Sequence, residues 1–269
     1  MAEFYDTHAH LDFPEFAEDL PQLIDRAAAT GITRVVSMGT DWESSAKAVA
    51  LAERFESVFA VVGWHPNEAL CAPTDFRAKL KGLASHPKVI GIGETGLDFF
   101  RLPSASGGSA AEDTHVKARQ REVFQQQLEV AAETGLNCVI HTRGDCFEET
   151  LAILQPFSTR MRGVFHCFVG TPDQMRRVLA MNSLVSFTGI VTFKNAEAVR
   201  ATLAATPVGS LMLETDAPFL APVPYRGKRC EPAYVSEIAA LVAQVKGCSP
   251  QELSEATCAT AREFFPKLR

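Results

Sequence analysis

The first chemical signal in the sequence is a pair of histidines, His8 and His10, in the segment DTHAHLD near the start of the chain. The apolar residues Phe4 and Tyr5 precede them, which indicates a short β-strand. Side chains at positions i and i+2 of a strand point the same way, so the two imidazoles aim at one point. Neutral imidazole binds zinc, iron, nickel and related ions, so the pair is half of a metal site. A hydrogen-bonded pair of structural histidines is the alternative.

Further histidines and carboxylates follow apolar runs later in the chain, in the segments GWHP, GETGLD, VIHTR, FHCF and LETDAP. The residues are His65, Glu94, His141, His166, Glu214 and Asp216. Each alone has an ordinary structural explanation; Asp216 before Ala-Pro, for example, is a possible helix cap. Independent placement of so many imidazoles and carboxylates just after apolar runs is improbable, so together they predict one site. His86 and His115 lie outside this pattern, and we interpret them as surface residues.

Apolar strands alternating with amphipathic helices must position these side chains. Eight short apolar strands are predicted, at Phe4, Thr33–Met38, Val58–Val62, Val89–Ile92, Asn137–Ile140, Gly163–Phe165, Leu184–Phe187 and Leu211–Leu213. The predicted helices include Phe16–Thr30, Thr74–Ser85, Lys117–Thr134, Pro232–Val245 and Pro250–Phe264, and Arg101–Thr114 is predicted to be a mobile loop. Eight strand–helix units in 269 residues predict a (β/α)8 TIM barrel, with residues 1–269 as a single domain. An open doubly wound sheet is the competing fold, but no GxGxxG motif follows the first strand.

Composition and charge exclude some classes of protein. The formal net charge is −6, which argues against a non-specific nucleic-acid coat protein but allows local binding of phosphate. The seven cysteines form no CxxC pair, so neither a zinc ribbon nor a complete disulfide framework is indicated, and a reducing compartment fits best. No signal peptide is visible, and no apolar run reaches the ~20 residues of a membrane helix. We therefore expect a cytoplasmic protein without a membrane contact or an obligate protein partner.

The number of candidate ligands indicates how many metal ions the site holds. A catalytic zinc takes about three protein ligands, whereas six candidates converge here: His8, His10, Glu94, His141, His166 and Asp216. This excess predicts two divalent ions ~3.5–4 Å apart that share a carboxylate. Glu94 is the expected bridge between an ion at His8, His10 and Asp216 and an ion at His141 and His166. Nitrogen and oxygen ligands without thiolate leave zinc, magnesium and manganese open.

At this point the sequence resembles the TatD-type metal-dependent deoxyribonucleases, a branch of the metal-dependent hydrolase superfamily. The matching segments span the chain in order: DTHAHLD (6–12), GWHP (63–66), GIGETGLDFF (91–100), VIHTR (139–143), FHCFVG (165–170), SFTGIVTFKNA (186–196), LETDAPFLAP (213–222) and YRGKRCEPAYV (225–235). Carried over by position, the metal ligands of the family fall on the same six residues. The sequence departs from the family pattern at Asn67, at HTRGD (141–145), at Thr260 and in the longer Arg101–Thr114 segment, and none of these departures removes a metal ligand.

The reaction that fits such a site is hydrolysis of a phosphodiester. Two metal ions sharing a water lower its pKa, supply hydroxide near neutral pH and stabilise charge on the attacking and leaving oxygens. Glu94 and Asp216 are the predicted catalytic residues: Glu94 as the bridge, and Asp216 as the group that orients the water and accepts its proton. Glu214, two residues earlier, is interpreted as a supporting partner.

Substrate phosphate needs hydrogen-bond donors beside the metal ions. The predicted substrate-binding residues are His65, Arg143, Lys194, Arg226 and Arg229, with Lys228 between the last two. The resemblance implies DNA as the substrate, at single-stranded 3′ ends. An enzyme of the amidohydrolase type, cleaving an amide, ester or lactone, is the alternative; many such enzymes use a carboxylated lysine where this chain has Glu94. A non-catalytic metal-binding protein is a further alternative, but it predicts missing ligands and none is missing.

Overall fold

Eight parallel strands form one sheet in the computed structural model, which describes residues 2–268. Each strand pairs with the next one along the chain. The strands are β1 (Phe4–Ala9), β2 (Ile32–Met38), β3 (Val58–Val62), β4 (Val89–Asp98), β5 (Asn137–Arg143), β6 (Gly163–Phe165), β7 (Leu184–Phe187) and β8 (Leu211–Leu213). The helices are α1 (Leu20–Ala29), α2 (Trp42–Arg54), α3 (Arg77–Ala84), α4 (Ala110–Thr134), α5 (Phe147–Leu154), α6 (Pro172–Ala180), α7 (Glu197–Ala205), α8 (Val235–Lys246) and α9 (Pro250–Phe264). The predicted (β/α)8 barrel is confirmed.

Backbone contacts just beyond β8 close the barrel against β1. The amide of Asp216 donates to the carbonyl of His8 at 2.9 Å, and the amide of His10 donates to the carbonyl of Ala217 at 2.8 Å. Ala9 and Ala217 form a parallel bridge. Closure therefore fixes the two histidines of the first strand beside Asp216.

The C-terminal helix α9 closes the opposite end of the barrel. Phe264 and Phe265, at its end, are fully buried with strand residues such as Val36 and Met212. The amide side chain of Asn137, the first residue of β5, donates to the carbonyl of Phe264. This apolar plug fills the interior below the strand ends, so the polar side chains gather at the C-terminal mouth, where barrel enzymes carry their active sites.

Two glycines allow β4 to approach its neighbour closely. Gly93 and Gly96 have φ values of 145° and 133°, which side chains rarely permit. A Cβ atom on Gly96 would lie 2.0 Å from the carbonyl oxygen of His141. Glycine at this position therefore permits the pairing of Gly96 with His141 that brings Glu94 beside β5.

Several predicted boundaries were wrong for identifiable reasons. The predicted helix Phe16–Thr30 begins at Leu20, because Pro21 has no amide hydrogen and fits only in a first turn. The predicted mobile loop Arg101–Thr114 is shorter: it contains a 3-10 helix, Pro103–Ser106, and α4 begins at Ala110. Ser109 and Glu112 form a capping box that starts α4 well before the predicted Lys117.

Other boundaries shifted less. The helix predicted over Thr74–Ser85 is limited to α3, and the helix predicted over Pro232–Val245 is a 3-10 turn followed by α8. Strands β4 and β5 continue past the predicted ends at Ile92 and Ile140, through the glycine-rich and polar residues. None of the helices in residues 2–268 is long and apolar enough to cross a membrane.

Candidate metal centre

The structure brings together all six residues that the sequence predicted as metal ligands. His8 lies on β1 and His10 directly after it, Glu94 on β4, His141 on β5, His166 just after β6 and Asp216 three residues after β8. His8 and Glu94 are almost completely buried, and Glu94 is at the centre of the cluster. The histidines and Asp216 divide into two groups, one near each carboxylate oxygen of Glu94.

The first group lies near Oε2 of Glu94. Nε2 of His8 is 3.3 Å from this oxygen and Nε2 of His10 is 3.6 Å from it. Oδ1 of Asp216 lies 3.3 Å from Nε2 of His10 and 3.7 Å from Nε2 of His8. Four ligand atoms from three parts of the chain thus face a common point.

The second group lies near Oε1 of Glu94. Nδ1 of His141 and Nε2 of His166 are each 2.8 Å from this oxygen and 3.2 Å from one another. The ring of His166 also stacks on that of His8, with 4.0 Å between the centroids. The stacking ties the two groups to each other across Glu94.

The chemistry of these atoms fits a divalent cation. Oε2 of Glu94 is buried yet has no hydrogen-bond partner among residues 2–268, and the two ring nitrogens of His8 and His10 face each other at 3.4 Å. Burial opposes ionisation of Glu94, but the histidines around it, His166 first, hold the pKa of this carboxyl well below its ordinary value. A buried, ionised carboxylate surrounded by imidazoles, which give up a proton when a cation binds, is a ligand set that suits a metal.

Asp98, which the sequence analysis did not single out, orients one of these histidines. Its Oδ2 lies 3.3 Å from Nε2 of His141, on the side of the ring away from Glu94. Burial alone would raise the pKa of Asp98, but the hydrogen bonds from His141 and from two backbone amides lower it to about 2. A carboxylate behind a ligand histidine fixes the orientation and tautomer of its ring. Asp98 is six residues beyond the predicted end of its strand at Ile92. Its role could have been predicted only if the strand had been expected to continue to Asp98, as β4 does.

Glu214 has a similar position behind His166. Its Oε1 accepts the amide hydrogen of Cys167 at 2.6 Å and lies 3.7 Å from Nδ1 of His166. Its Oε2 accepts the hydroxyl hydrogen of Ser186 at 2.7 Å. The structure therefore places Glu214 in the supporting position that its spacing from Asp216 suggested.

The backbone of Asp216 is held in an unusual conformation. Its φ is 59°, in the left-handed region that residues other than glycine seldom adopt. Buried Asp6, also absent from the sequence prediction, braces this turn: its carboxylate accepts from the amide and hydroxyl of Thr215 at 2.9 and 2.5 Å. The amide of Asp216 is bound to His8, as described above. Local strain at a residue fixed this firmly is typical of functional sites.

His65, predicted to contact substrate, lies at the edge of the second group. Its Nε2 is 3.5 Å from Oε1 of Glu94 and 3.3 Å from Nδ1 of His141, near enough for a ligand. However, its Nδ1 accepts the backbone amide hydrogen of Asn67 at 3.0 Å. Burial lowers the pKa of His65 to about 3, so the ring is neutral and carries its one proton on Nε2. This tautomer makes His65 a hydrogen-bond donor toward the site.

The predicted phosphate-binding cations differ in what they contact. The guanidinium of Arg143 lies over the ring of Phe100 at 4.3 Å, and that of Arg226 over the ring of Phe193 at 3.7 Å. Lys194 is exposed after β7. Arg229 instead forms a salt bridge with Asp19, at 2.8 Å.

Asp19 occupies both terminal nitrogens of Arg229, and one of them also donates to the carbonyl of Glu15. Arg226 is therefore better placed to receive a phosphate than Arg229.

Together, the fold and the ligand set define the class: this is a metal-dependent hydrolase. A family model described as "TatD related DNase" matches residues 5–266, so the chain belongs to the TatD family. It is 36% identical to the Bacillus subtilis protein YabD, named an uncharacterized metal-dependent hydrolase, over 97% of this chain and 98% of that one.

Two further relatives cover nearly the whole chain. The protein TatD of Cronobacter sakazakii, named a 3'-5' ssDNA/RNA exonuclease, is 34% identical, with 98% of each chain covered. The crystal structure of the TatD homologue YJJV from Escherichia coli superposes with a TM-score of 0.87, at 26% identity and 98% coverage of both chains.

Proposed function

We propose that this protein is a two-metal phosphodiesterase that removes nucleotides from single-stranded DNA ends in the 3′ to 5′ direction. The observation that carries the proposal is the placement of Glu94, whose two carboxylate oxygens face two separate groups of ligands. One ion would be held by His8, His10 and Asp216 and the other by His141 and His166, with Glu94 shared between them. Zinc, manganese and magnesium all accept such nitrogen and oxygen ligands.

The residues of the chain then have distinct roles. Bound divalent ions would supply the positive charge that lowers the pKa of a water and stabilises a phosphodiester in the transition state. Asp216 is ionised, because the hydrogen bond and charge of His10 outweigh its burial and lower its pKa, so it can accept the proton of the attacking water. Nε2 of His65 donates a hydrogen bond to a phosphate oxygen, and Asp98 and Glu214 hold the rings of His141 and His166 in place.

Two observations favour nucleic acid over other phosphate esters as the substrate. Arg143 is the last residue of β5 and Arg226 lies in the loop after β8, so both exposed guanidinium groups are at the same end of the barrel as Glu94, where they can bind substrate phosphates. The relative from Cronobacter sakazakii bears the name of an exonuclease on single strands. The shared family supports the same direction of digestion here.

The test is digestion by purified protein that has been treated with chelator and reloaded separately with zinc, manganese or magnesium. Substrates are single- and double-stranded DNA and RNA of one sequence, labelled at the 5′ or the 3′ end, together with a series of amides, esters and lactones. We expect metal-dependent shortening of single-stranded DNA from its 3′ end. Turnover of an amide or lactone, with no cleavage of any oligonucleotide, would support the amidohydrolase alternative and overturn the proposal.

A further inference from the structure

Exposed phenylalanines surround the mouth of the metal centre. Phe219, three residues after Asp216, is 48% exposed, and Phe100, two residues after Asp98, is 60% exposed. Both lie in loops at the C-terminal ends of strands, β8 and β4. Their place beside a buried polar site leaves these rings accessible to a ligand bound there.

Phe219 is held on one side of the cluster, next to the first group of ligands. Its ring centroid is 6.2 Å from that of His10 and 5.8 Å from that of Phe13, which it meets edge-on. Phe13 in turn lies 4.9 Å from His10. Packing against two rings restricts the orientation of Phe219 while nearly half of its surface stays open to solvent.

Phe100 is held on the other side, next to the second group. Its amide donates to Oδ1 of Asp98 at 2.9 Å, and Oδ2 of the same carboxylate contacts His141. The guanidinium of Arg143 lies over its ring. Gly144, with φ of 83°, permits this approach, since a Cβ there would be 2.7 Å from the amide nitrogen of Phe100. Among residues 2–268, Arg143 has no carboxylate partner, so its charge is free for a phosphate.

Two aromatic rings at a polar centre, one next to each group of metal ligands, suit one kind of ligand. Unpaired nucleobases stack on exposed aromatic side chains regardless of sequence, and arginine adds a cation–π contact and binds the backbone. A base pair inside a duplex has its faces covered by its neighbours, so it cannot use such rings. An apolar small molecule would need an enclosed pocket, whereas these rings lie at an open rim.

We propose that Phe219 and Phe100 are stacking platforms for the two unpaired bases that flank the phosphate at Glu94. The inference rests on the proposed function. It assigns the preference for single-stranded over double-stranded substrate to these two rings. Phe219 would receive the base on the His10 side and Phe100 the base on the His141 side. Arg143 would bind the phosphate next to the base on Phe100.

The experiment measures KM and kcat of the metal-loaded protein and of its Phe219→Ala and Phe100→Ala variants. Substrates are a short thymidine oligonucleotide and matched oligonucleotides with an abasic site in each position flanking the cleaved bond. Phe219→Tyr keeps an aromatic face and serves as the rescue variant. Val208→Ala removes an exposed apolar side chain just before β8, at the other end of the strand, and serves as the control.

We expect each alanine variant to raise KM for the thymidine oligonucleotide about fivefold to a hundredfold, the effect of losing one base–aromatic stack. The loss should shrink to nearly nothing on the oligonucleotide that is abasic at the corresponding position, and Phe219→Tyr should restore the wild-type KM. Val208→Ala should match the wild type throughout.

An unchanged KM in the alanine variants, or an equal rise in KM on intact and abasic substrates, would overturn the stacking assignment. Neither result would contradict the proposed nuclease activity. A change of oligomeric state on size exclusion, in place of a KM effect, would show that the rings contact a second copy of the chain and would overturn it as well. If the wild type cleaves no oligonucleotide with any metal, the proposed function is wrong, and the stacking assignment, which rests on it, is wrong as well.

Discussion

Oε1 of Glu94 lies 2.8 Å from Nε2 of His166, whereas Oε2 of Glu94 is buried with no hydrogen-bond partner among the described residues. Oε1 of Glu94 therefore lies at hydrogen-bond distance from a histidine, whereas Oε2 has no such partner. Around Oε2 are His8, His10 and, close to both histidines, Asp216. Glu94 thus presents one oxygen to each group of ligands, as a carboxylate shared by two cations would.

Replacing Glu94 by alanine should abolish metal-dependent hydrolysis. The bridge is lost, and two cations would face each other without the negative charge between them. We expect a fall in kcat on the order of a thousandfold or more, at about 1.4 kcal/mol per tenfold. Bound metal per chain, measured by mass spectrometry of the protein's metal content, should fall from two ions to one or none. Near-normal turnover at saturating metal would show that Glu94 is not the bridge.

Replacing Asp98 by asparagine should weaken metal binding without unfolding the protein. The amide is the same size as the carboxylate but is a weaker acceptor for Nε2 of His141, so the ring loses the group that orients it. Loss of such a partner typically costs tenfold to a hundredfold in metal affinity. Asp113→Asn is the control, because Asp113 lies near the start of α4 and, among residues 2–268, its carboxylate accepts hydrogen bonds from Ser104 alone. Equal metal affinity in the two variants would contradict this role of Asp98.

Arg226 and Arg229, which look equivalent in the sequence, should behave differently when replaced by alanine. Arg226→Ala should raise KM for oligonucleotides and reduce the salt dependence of binding by about 0.7 in log–log slope, the effect of one lost phosphate contact on a single strand. Arg229→Ala should instead lower the melting temperature, because Arg229 joins the loop after β8 to Asp19 and Glu15. Thermal melts and salt-dependent kinetics on both variants test this. A KM effect confined to Arg229→Ala would reverse the assignment.

The barrel could be predicted from the sequence because its strands are short and apolar on both faces. Strands β3, β6, β7 and β8 have the predicted bounds. Strand β4 was predicted too short, since Gly93 and Gly96 interrupt the apolar pattern that marks a strand, and β5 was predicted too short because its last three residues, His141–Arg143, are polar. In the structure these glycines do not end the strand; they allow it to lie close to β5. This close pairing depends on His141, more than forty residues away along the chain, so the sequence around Gly96 does not reveal it.

The six clustered residues could be predicted because each follows, within a few residues, the apolar part of a strand. What could not be predicted depends on pairing between distant segments. Asp98 reaches His141 only through the register of β4 and β5, and Arg229 meets Asp19 across 210 positions of the chain. The tautomer of His65 depends on a backbone amide, which every residue except proline offers. Side-chain type alone therefore gives the ligands but not the groups that orient them.

Replacing Gly96 by alanine should destabilise the protein, although Gly96 makes no side-chain contact. The φ of 133° costs about 1–3 kcal/mol for any residue with a Cβ, and the added atom would lie 2.0 Å from the carbonyl oxygen of His141. Gly82→Ala is the matched control: Gly82 lies in α3 with no atom near its missing Cβ, so alanine should stabilise the helix by about 0.5–1 kcal/mol. Denaturant unfolding should show opposite shifts. A shift of the same sign in both variants would contradict the strain at Gly96.

Replacing His65 by alanine should impair catalysis and leave the metal content unchanged. Nδ1 of His65 accepts a hydrogen bond from the amide of Asn67, so Nε2 carries a proton and can donate to a phosphate oxygen but cannot bind a cation. A hydrogen bond to a charged group is worth about 1.5–3 kcal/mol, which predicts a fall in kcat/KM of about tenfold to a hundredfold.

Leu70→Ala is the control for His65→Ala, because Leu70 is an exposed residue of the 3-10 helix Pro66–Cys71 that follows His65, and its replacement keeps the amide of Asn67 and with it the tautomer of His65. We expect kcat/KM close to that of the wild type in Leu70→Ala and two bound ions per chain in both variants. If His65→Ala loses one ion, His65 is a ligand of the second group, and its proton must leave Nε2 when the metal binds.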